Sequence, residues 1–171
     1  MKRRIHDLFE RVFGNKLKTI DANISNANRA AQYSDLIPAD QNSVDMFSGT
    51  WSSTLPNFEK SGAAGLFQDP RITWMCQQLG NISGWNVLEL GPLEGGHTFM
   101  LEAAGATVTA IEANHEAFLR CLVTKNLYGM RSKFVLGDFM KSFGKDQRTD
   151  LVVASGVLYH MTDPVDLIRK I

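Results

Sequence analysis

The chain is short of charge bias, of cysteine and of long apolar runs, and each shortage removes a class of protein. Its 171 residues carry 18 Lys and Arg against 18 Asp and Glu. A molecule with zero formal charge offers no overall pull toward nucleic acid or acidic lipid. Only two cysteines are present, Cys76 and Cys121, far apart and forming no Cys-x-x-Cys unit. That argues against a disulfide framework and for two reduced, buried thiols. The four histidines (His6, His97, His115 and His160) show no metal-ligand spacing with each other or with the cysteines, so no metal is expected. No run approaches the ~20 apolar residues of a membrane span, and no signal-peptide core follows the charged N-terminus. The expected location is cytoplasmic. With 44% apolar and 21% charged residues, the rest is ordinary for one globular domain with a real core.

The organising stretch is Asn86-Val87-Leu88-Glu89-Leu90-Gly91-Pro92-Leu93-Glu94-Gly95-Gly96-His97. A short apolar run ends in a glycine-bearing turn and then a helix start, the strand–turn–helix form of a nucleotide-binding loop. Helix is expected from Asp69-Pro70, an N-cap acid followed by proline at the first helical position, to Gly80. Further helices are read at 96–104, 115–127 and from Asp163-Pro164. Strands are read at 86–90, 107–111, 133–136 and 150–154. Alternation at this spacing predicts a Rossmann-like α/β fold, a parallel sheet flanked by helices. The fourth strand reads as an open edge, so the chain looks like the N-terminal portion of a larger domain.

Residues 1–60 read as a helical and irregular N-terminal extension to a domain at 61–171. Ile5, Leu8, Phe9, Val12 and Phe13 have helical spacing, and residues 1–18 hold six basic side chains against two acidic. One reading is a basic helix touching RNA or a membrane surface. The favoured one packs its apolar stripe on the domain or on a second copy, a route to a homo-oligomer. Leu17, Ile20, Ile24, Ala27 and Ala31 suggest a second helix. Residues 35–61, broken by Pro38, Gly49 and Pro56, read as a long loop. Its Met46, Phe47, Trp51, Leu55 and Phe58 either cover a ligand or anchor the loop to the core.

Four features fall at the carboxyl ends of the four strands, where open α/β sheets bind ligands. They are the Gly91–Gly96 turn, Glu112 (21 residues after Gly91), Gly137-Asp138-Phe139, and the run from Ser155 to His160. This set, over roughly residues 69–171, resembles the class I S-adenosylmethionine-dependent methyltransferases. The family's acid-x-Gly-x-Gly-x-Gly loop matches Glu89, Gly91 and Gly95, with Leu93 where the middle glycine usually sits.

The resemblance implies S-adenosyl-L-methionine as cofactor. Glu89 and the Gly91, Gly95 and Gly96 backbone would hold its methionine part, and Glu112 the ribose hydroxyls. Asp138 would accept from the adenine amino group, with Phe139 beside the ring. Tyr159 and His160 would face the acceptor, with His160 as base where the acceptor is a hydroxyl. His97, in the first turn after the glycines, either faces the cofactor carboxylate or lies on the surface. The Leu158-Tyr159-His160 tail is also similar to that of tRNA wobble-uridine modifying enzymes and of many small-molecule methyltransferases.

The charge balance favours a small-molecule acceptor over nucleic acid. Two rival readings stand beside this one. An NAD-type Rossmann oxidoreductase would want Gly-x-Gly-x-x-Gly and meets Gly91-x-Leu93-x-x-Gly96. A non-catalytic module would bind cofactor or a partner only.

Overall fold

The structure is a computed structural model that describes residues 33–142 and 149–171. It divides into two compact units, Met1–Pro38 and Ala39–Ile171. In the first, the described residues 33–38 are exposed and form no helix or strand. The helices expected at 2–13 and 17–31, and with them the basic face and the proposed contact with a second copy, lie outside the described residues.

The second unit is built on four parallel strands: β1 (Asn86–Leu90), β2 (Thr107–Glu112), β3 (Lys133–Leu136) and β4 (Leu151–Val153). Their order across the sheet is β3-β2-β1-β4. β1 is paired on both sides, Glu89 opposite Ala110 of β2 and opposite Val153 of β4. It is accordingly buried from Val87 to Leu90, whereas β3 and β4 at the edges are mostly half-buried. Among the described residues the α-helices are α1 (Asp40–Asp45), α2 (Pro70–Leu79), α3 (Gly96–Ala103), α4 (His115–Leu127) and α5 (Pro164–Lys170). No helix among the described residues is long and apolar enough to cross a membrane.

Side-chain alternation splits β1 between two cores. Val87 packs with Val108, Val153, Ile72 of α2 and Leu101 of α3. Leu88 and Leu90 point the other way, into a core closed by Leu167 of α5. Helix ends follow their sequence signals. Asp69 Oδ1 accepts from Arg71 N (2.9 Å) ahead of Pro70, and Asn114 caps α4 by accepting from Ala117 N (2.9 Å). Asp163 does the same for α5, accepting from Asp166 N (3.0 Å).

Residues 39–60 differ from the expected extension. The compact unit begins at Ala39, and the stretch contains α1, a helix inside what reads as a loop. Val44, Trp51 and Leu55 are buried with Phe67 and pack on Phe99, Val123, Leu127 and Tyr128. Those aromatics therefore anchor the stretch to α3 and α4. Met46 alone of the five remains largely exposed.

Candidate functional site

The turn after β1 is held open by backbone that few side chains adopt. Gly91 has φ +64°, and a Cβ there would come within 3.0 Å of Val157. Gly96 opens α3 with ordinary φ, but a Cβ on it would lie 2.7 Å from the backbone of Leu66. Leu93 takes φ +57° without being glycine, a conformation that costs an L-residue roughly 1–2 kcal/mol. Its N–H donates to Glu112 Oε2 (3.0 Å), and Cys121 Sγ donates to its carbonyl (3.5 Å). The left-handed turn is thus fixed from two neighbouring elements.

Above this turn lies a cleft of about 310 Å³. Gly91, Pro92 and Leu93 form one wall, and Glu112 and Phe139, from the ends of β2 and β3, form the next. Ser155 to Val157, Tyr159 and His160 close the side after β4, and Leu66, Arg71 and His97 close the side toward α2 and α3. The Tyr159 and His160 rings lean on each other with centroids 4.2 Å apart. Glu112 is nearly buried and oriented, its Oε1 accepting from Asn114 N (2.8 Å).

Beneath the turn runs a buried polar chain. Asp69 accepts from Arg71 Nε (3.0 Å) and Nη2 (2.6 Å) and sits 2.8 Å from His97 Nε2. Hydrogen bonds from the Arg71 guanidinium hold the Asp69 carboxyl well below the usual carboxylate range, against its burial. His97 Nε2 is therefore the donor in that pair. Burial pushes the His97 imidazole down, with the Asp69 hydrogen bond opposing it. Its Nδ1 faces Glu89 Oε1 across 4.0 Å. Glu89 is 1% exposed, and its other oxygen accepts from the Thr98 hydroxyl. Burial raises its carboxyl to about 7, opposed by Thr98 and helped by the Glu112 charge.

Behind the turn, Glu94 is fully buried and multiply bonded. Oε1 accepts from Ser52 N (2.8 Å) and Oε2 from Ser53 N (2.7 Å). Arg120 Nε stands 3.1 Å from Oε1, a close ion pair without hydrogen-bond alignment. The same guanidinium lies 6.0 Å over the Trp51 ring. One carboxylate thus clips Ser52 and Ser53 to the glycine turn.

Of the residues singled out in the sequence, Gly91, Glu112, Phe139, Tyr159 and His160 come together around the cleft. Glu89 lies under its floor, and Gly95 and Gly96 sit behind it at the start of α3. Asp138 does not line the cleft. It caps the turn after β3, accepting from Met140 N (2.9 Å), with Lys141 Nζ 3.9 Å away. His97 is buried and lines the cleft, so the surface position left open for it is not the one it takes. Sequence reasoning missed Arg71 and the Asp69–His97 link, because the partners are 28 residues apart and Asp69 already reads as a helix cap.

A glycine turn after β1, an acid at the end of β2 and the order β3-β2-β1-β4 define a Rossmann-like fold with its cleft at the carboxyl ends of the strands. Residues 88–171 match the model of the methyltransferase domain family. Over those residues the chain is similar to the methyltransferase domain family, and its fold is the Rossmann-like one of the class I S-adenosylmethionine-dependent methyltransferases. It is 35% identical over 86 residues to the ribosomal RNA small subunit methyltransferase A of Bartonella tribocorum, covering 47% of this chain and 31% of the relative. The protein of the same name from Bartonella henselae is 39% identical over 67 residues, covering 39% of this chain and 24% of the relative.

Among solved structures, the N-terminal domain of EvdMO1, crystallised with SAH bound, superposes with a TM-score of 0.62 at 20% identity. That match covers 81% of this chain and 63% of that one. YcgJ from Bacillus subtilis gives 0.52 at 16% identity, covering 58% and 43%. These structural likenesses are of fold. The chain spans about a quarter to a third of the curated relatives' length.

Proposed function

We propose that this chain binds S-adenosyl-L-methionine in the cleft and transfers its methyl group to a small-molecule acceptor. The observation that carries the reading is the meeting of the Gly91–Leu93 turn, Glu112, Phe139 and Tyr159-His160 at the carboxyl ends of the strands. The residues present fit the cofactor. The cleft volume of about 310 Å³ is at the low end of small-ligand sites. Gly91 keeps one wall free of a side chain, Glu112 offers an oriented carboxylate at the β2 end, and Phe139 offers an aromatic face. The EvdMO1 domain of the same fold carries SAH.

Bound there, the cofactor supplies an activated sulfonium methyl, leaving the protein chiefly alignment to perform. Glu112 would hold the ribose and the Gly91–Gly95 turn the methionine part, with Glu89 beneath and Gly96 setting the start of α3. Met140 N uses Asp138 Oδ1, which leaves Oδ2 for the adenine amino group. Tyr159 and His160 flank the acceptor side, and His160 takes the proton of a hydroxyl acceptor. Holding the reactants in line can lower the barrier by about 7–11 kcal/mol.

A small molecule is preferred because the chain has no net charge. The ribosomal RNA methyltransferase relatives support RNA as the second reading.

Calorimetric titration of the full chain with S-adenosylhomocysteine tests the proposal, with NAD in parallel. Micromolar binding, weakened at least about tenfold by Glu112→Ala (about 1.4 kcal/mol), is expected. NAD binding in its place would overturn the reading. His160→Gln keeping full turnover would remove His160 from the role of base.

A further inference from the structure

We infer that His97 is a positioning residue that shares one proton with Glu89, and that Glu89 gives this proton up when the cofactor's ammonium pairs with it; this rests on the cofactor reading above. His97 links two acids from different elements. Its Nε2 lies 2.8 Å from Asp69 Oδ2, ahead of α2, and its Nδ1 lies 4.0 Å from Glu89 Oε1, on β1. All three side chains are nearly closed to solvent, His97 at 9%, Asp69 at 5% and Glu89 at 2% exposed. Asp69 is ionised and paired with Arg71, so Nε2 carries a hydrogen for it. The Nδ1 edge is left for Glu89. The Thr98 hydroxyl donates to the other Glu89 oxygen, Oε2, which leaves Oε1 turned to His97.

Charge balance over this buried group fixes the proton count at one. Asp69 and Arg71 cancel each other. With no proton between them, Glu89 and His97 carry a buried negative charge beside Glu112; with two they carry a positive one. With one they are neutral together, whether the hydrogen sits on Glu89 Oε1 or on His97 Nδ1. Burial pushes the Glu89 carboxyl up to about 7 and the His97 imidazole down, which brings the two carriers toward each other. The other groups around the pair do not take the proton. Glu112, at the end of β2, acts on Glu89 through its negative charge, and Arg71 of α2 opposes a second proton on His97. Cys121 of α4 is a thiol that burial keeps protonated.

An ammonium seated on Glu89 supplies the positive charge that the proton had supplied. Glu89 then ionises, and the proton leaves by way of Nδ1 of His97, which lines the cleft and opens to water. The step balances: a carboxylic acid and an ammonium become a carboxylate–ammonium pair and one proton released to solvent, and the one bond broken is O–H. Affinity for the cofactor therefore falls as pH drops through about 7.

The test is calorimetry of the full chain with S-adenosylhomocysteine in pairs of buffers that differ in ionisation enthalpy, the difference in heat giving the protons released. From a midpoint of about 7, wild type should release about 0.9 proton at pH 6 and about 0.1 at pH 8, with affinity about tenfold weaker at pH 6. The nitrogen-15 NMR signal of His97 Nδ1 should follow the same midpoint in the free chain. Glu89→Gln should release no proton and bind equally at the two pH values. His97→Gln keeps a donor for Asp69 but lacks Nδ1, and should move the midpoint of release down by about one pH unit or more.

Heat that is independent of the buffer at pH 6 in wild type overturns the inference, and that result needs no variant to fold. So does release retained in Glu89→Gln, or an unchanged midpoint in His97→Gln, which would leave His97 a merely structural part. Failure of the wild type to bind S-adenosylhomocysteine at either pH would instead strike the cofactor reading on which the inference rests.

Discussion

The back and the underside of the Gly91–Gly95 turn each hold a buried glutamate, and the two are treated in opposite ways. Behind the turn, both oxygens of Glu94 accept backbone N–H groups and Arg120 stands 3.1 Å away. Beneath it, Glu89 has the Thr98 hydroxyl and a histidine nitrogen 4.0 Å off. A buried charge with a full set of partners holds a fold together. One with too few stays neutral until something arrives to pair with it. We propose from this contrast that Glu94 serves the architecture and Glu89 the ligand.

Breaking the architectural side should have the largest effect. Glu94→Ala leaves Arg120 buried without its partner and two backbone donors unpaired, so it should cost about 3–5 kcal/mol in urea unfolding. A loss below 1 kcal/mol would mean that Arg120 turns to Glu116 (3.4 Å) and that the clip is dispensable.

The ligand side should show itself in pH dependence. The folded Glu89 carboxyl lies near 7 against an ordinary 4.5, so the native state binds more protons than the unfolded chain between those values. Its contribution to stability is present in full below about 4.5 and is lost as pH rises through about 7. The groups facing it are Thr98 and His97 of α3 and Glu112 at the end of β2. Glu89→Gln, neutral throughout, should gain on wild type by on the order of 2 kcal/mol between pH 5 and pH 8. Parallel pH profiles for the two proteins would contradict a neutral Glu89.

The smallest effect is expected at Leu93. Replacing it with glycine removes the left-handed cost of about 1–2 kcal/mol but adds glycine's unfolded-state freedom, about 0.5–1 kcal/mol. Leu93→Gly should therefore be as stable as wild type or up to about 1.5 kcal/mol more stable. Leu93→Ala, which keeps the strain, should not gain. A clear loss in Leu93→Gly would show that the leucine side chain is needed for packing.

The same contrast separates what could be read in the sequence from what could not. β1, the glycine turn and the α2 and α5 starts were legible because their signals are local: alternation, Asp-Pro caps and a glycine where the chain must turn. Glu112, Phe139 and Tyr159-His160 were legible as a group because parallel strands deliver all their carboxyl ends to one edge. The clip was not, since Glu94 meets Ser52 and Ser53 across more than forty residues and nothing nearby marks a glutamate as buried. Residues 39–60 read as a loop for the same reason. Their apolar side chains follow no helical or strand period and find partners on Phe67, on α3 and along α4 to Tyr128. Arg71 sits beside a cap whose local role already accounts for Asp69, so its second role through His97 appears only in three dimensions.

The most direct test of the division between the two glutamates is the dissociation constant of Glu89→Gln for S-adenosylhomocysteine at pH 8, measured by calorimetry beside its melting temperature. The expected result is affinity at least about tenfold weaker with a melting temperature no lower than wild type's. Unchanged affinity with a lowered melting temperature would place Glu89 with Glu94, as a structural group, and contradict the assignment.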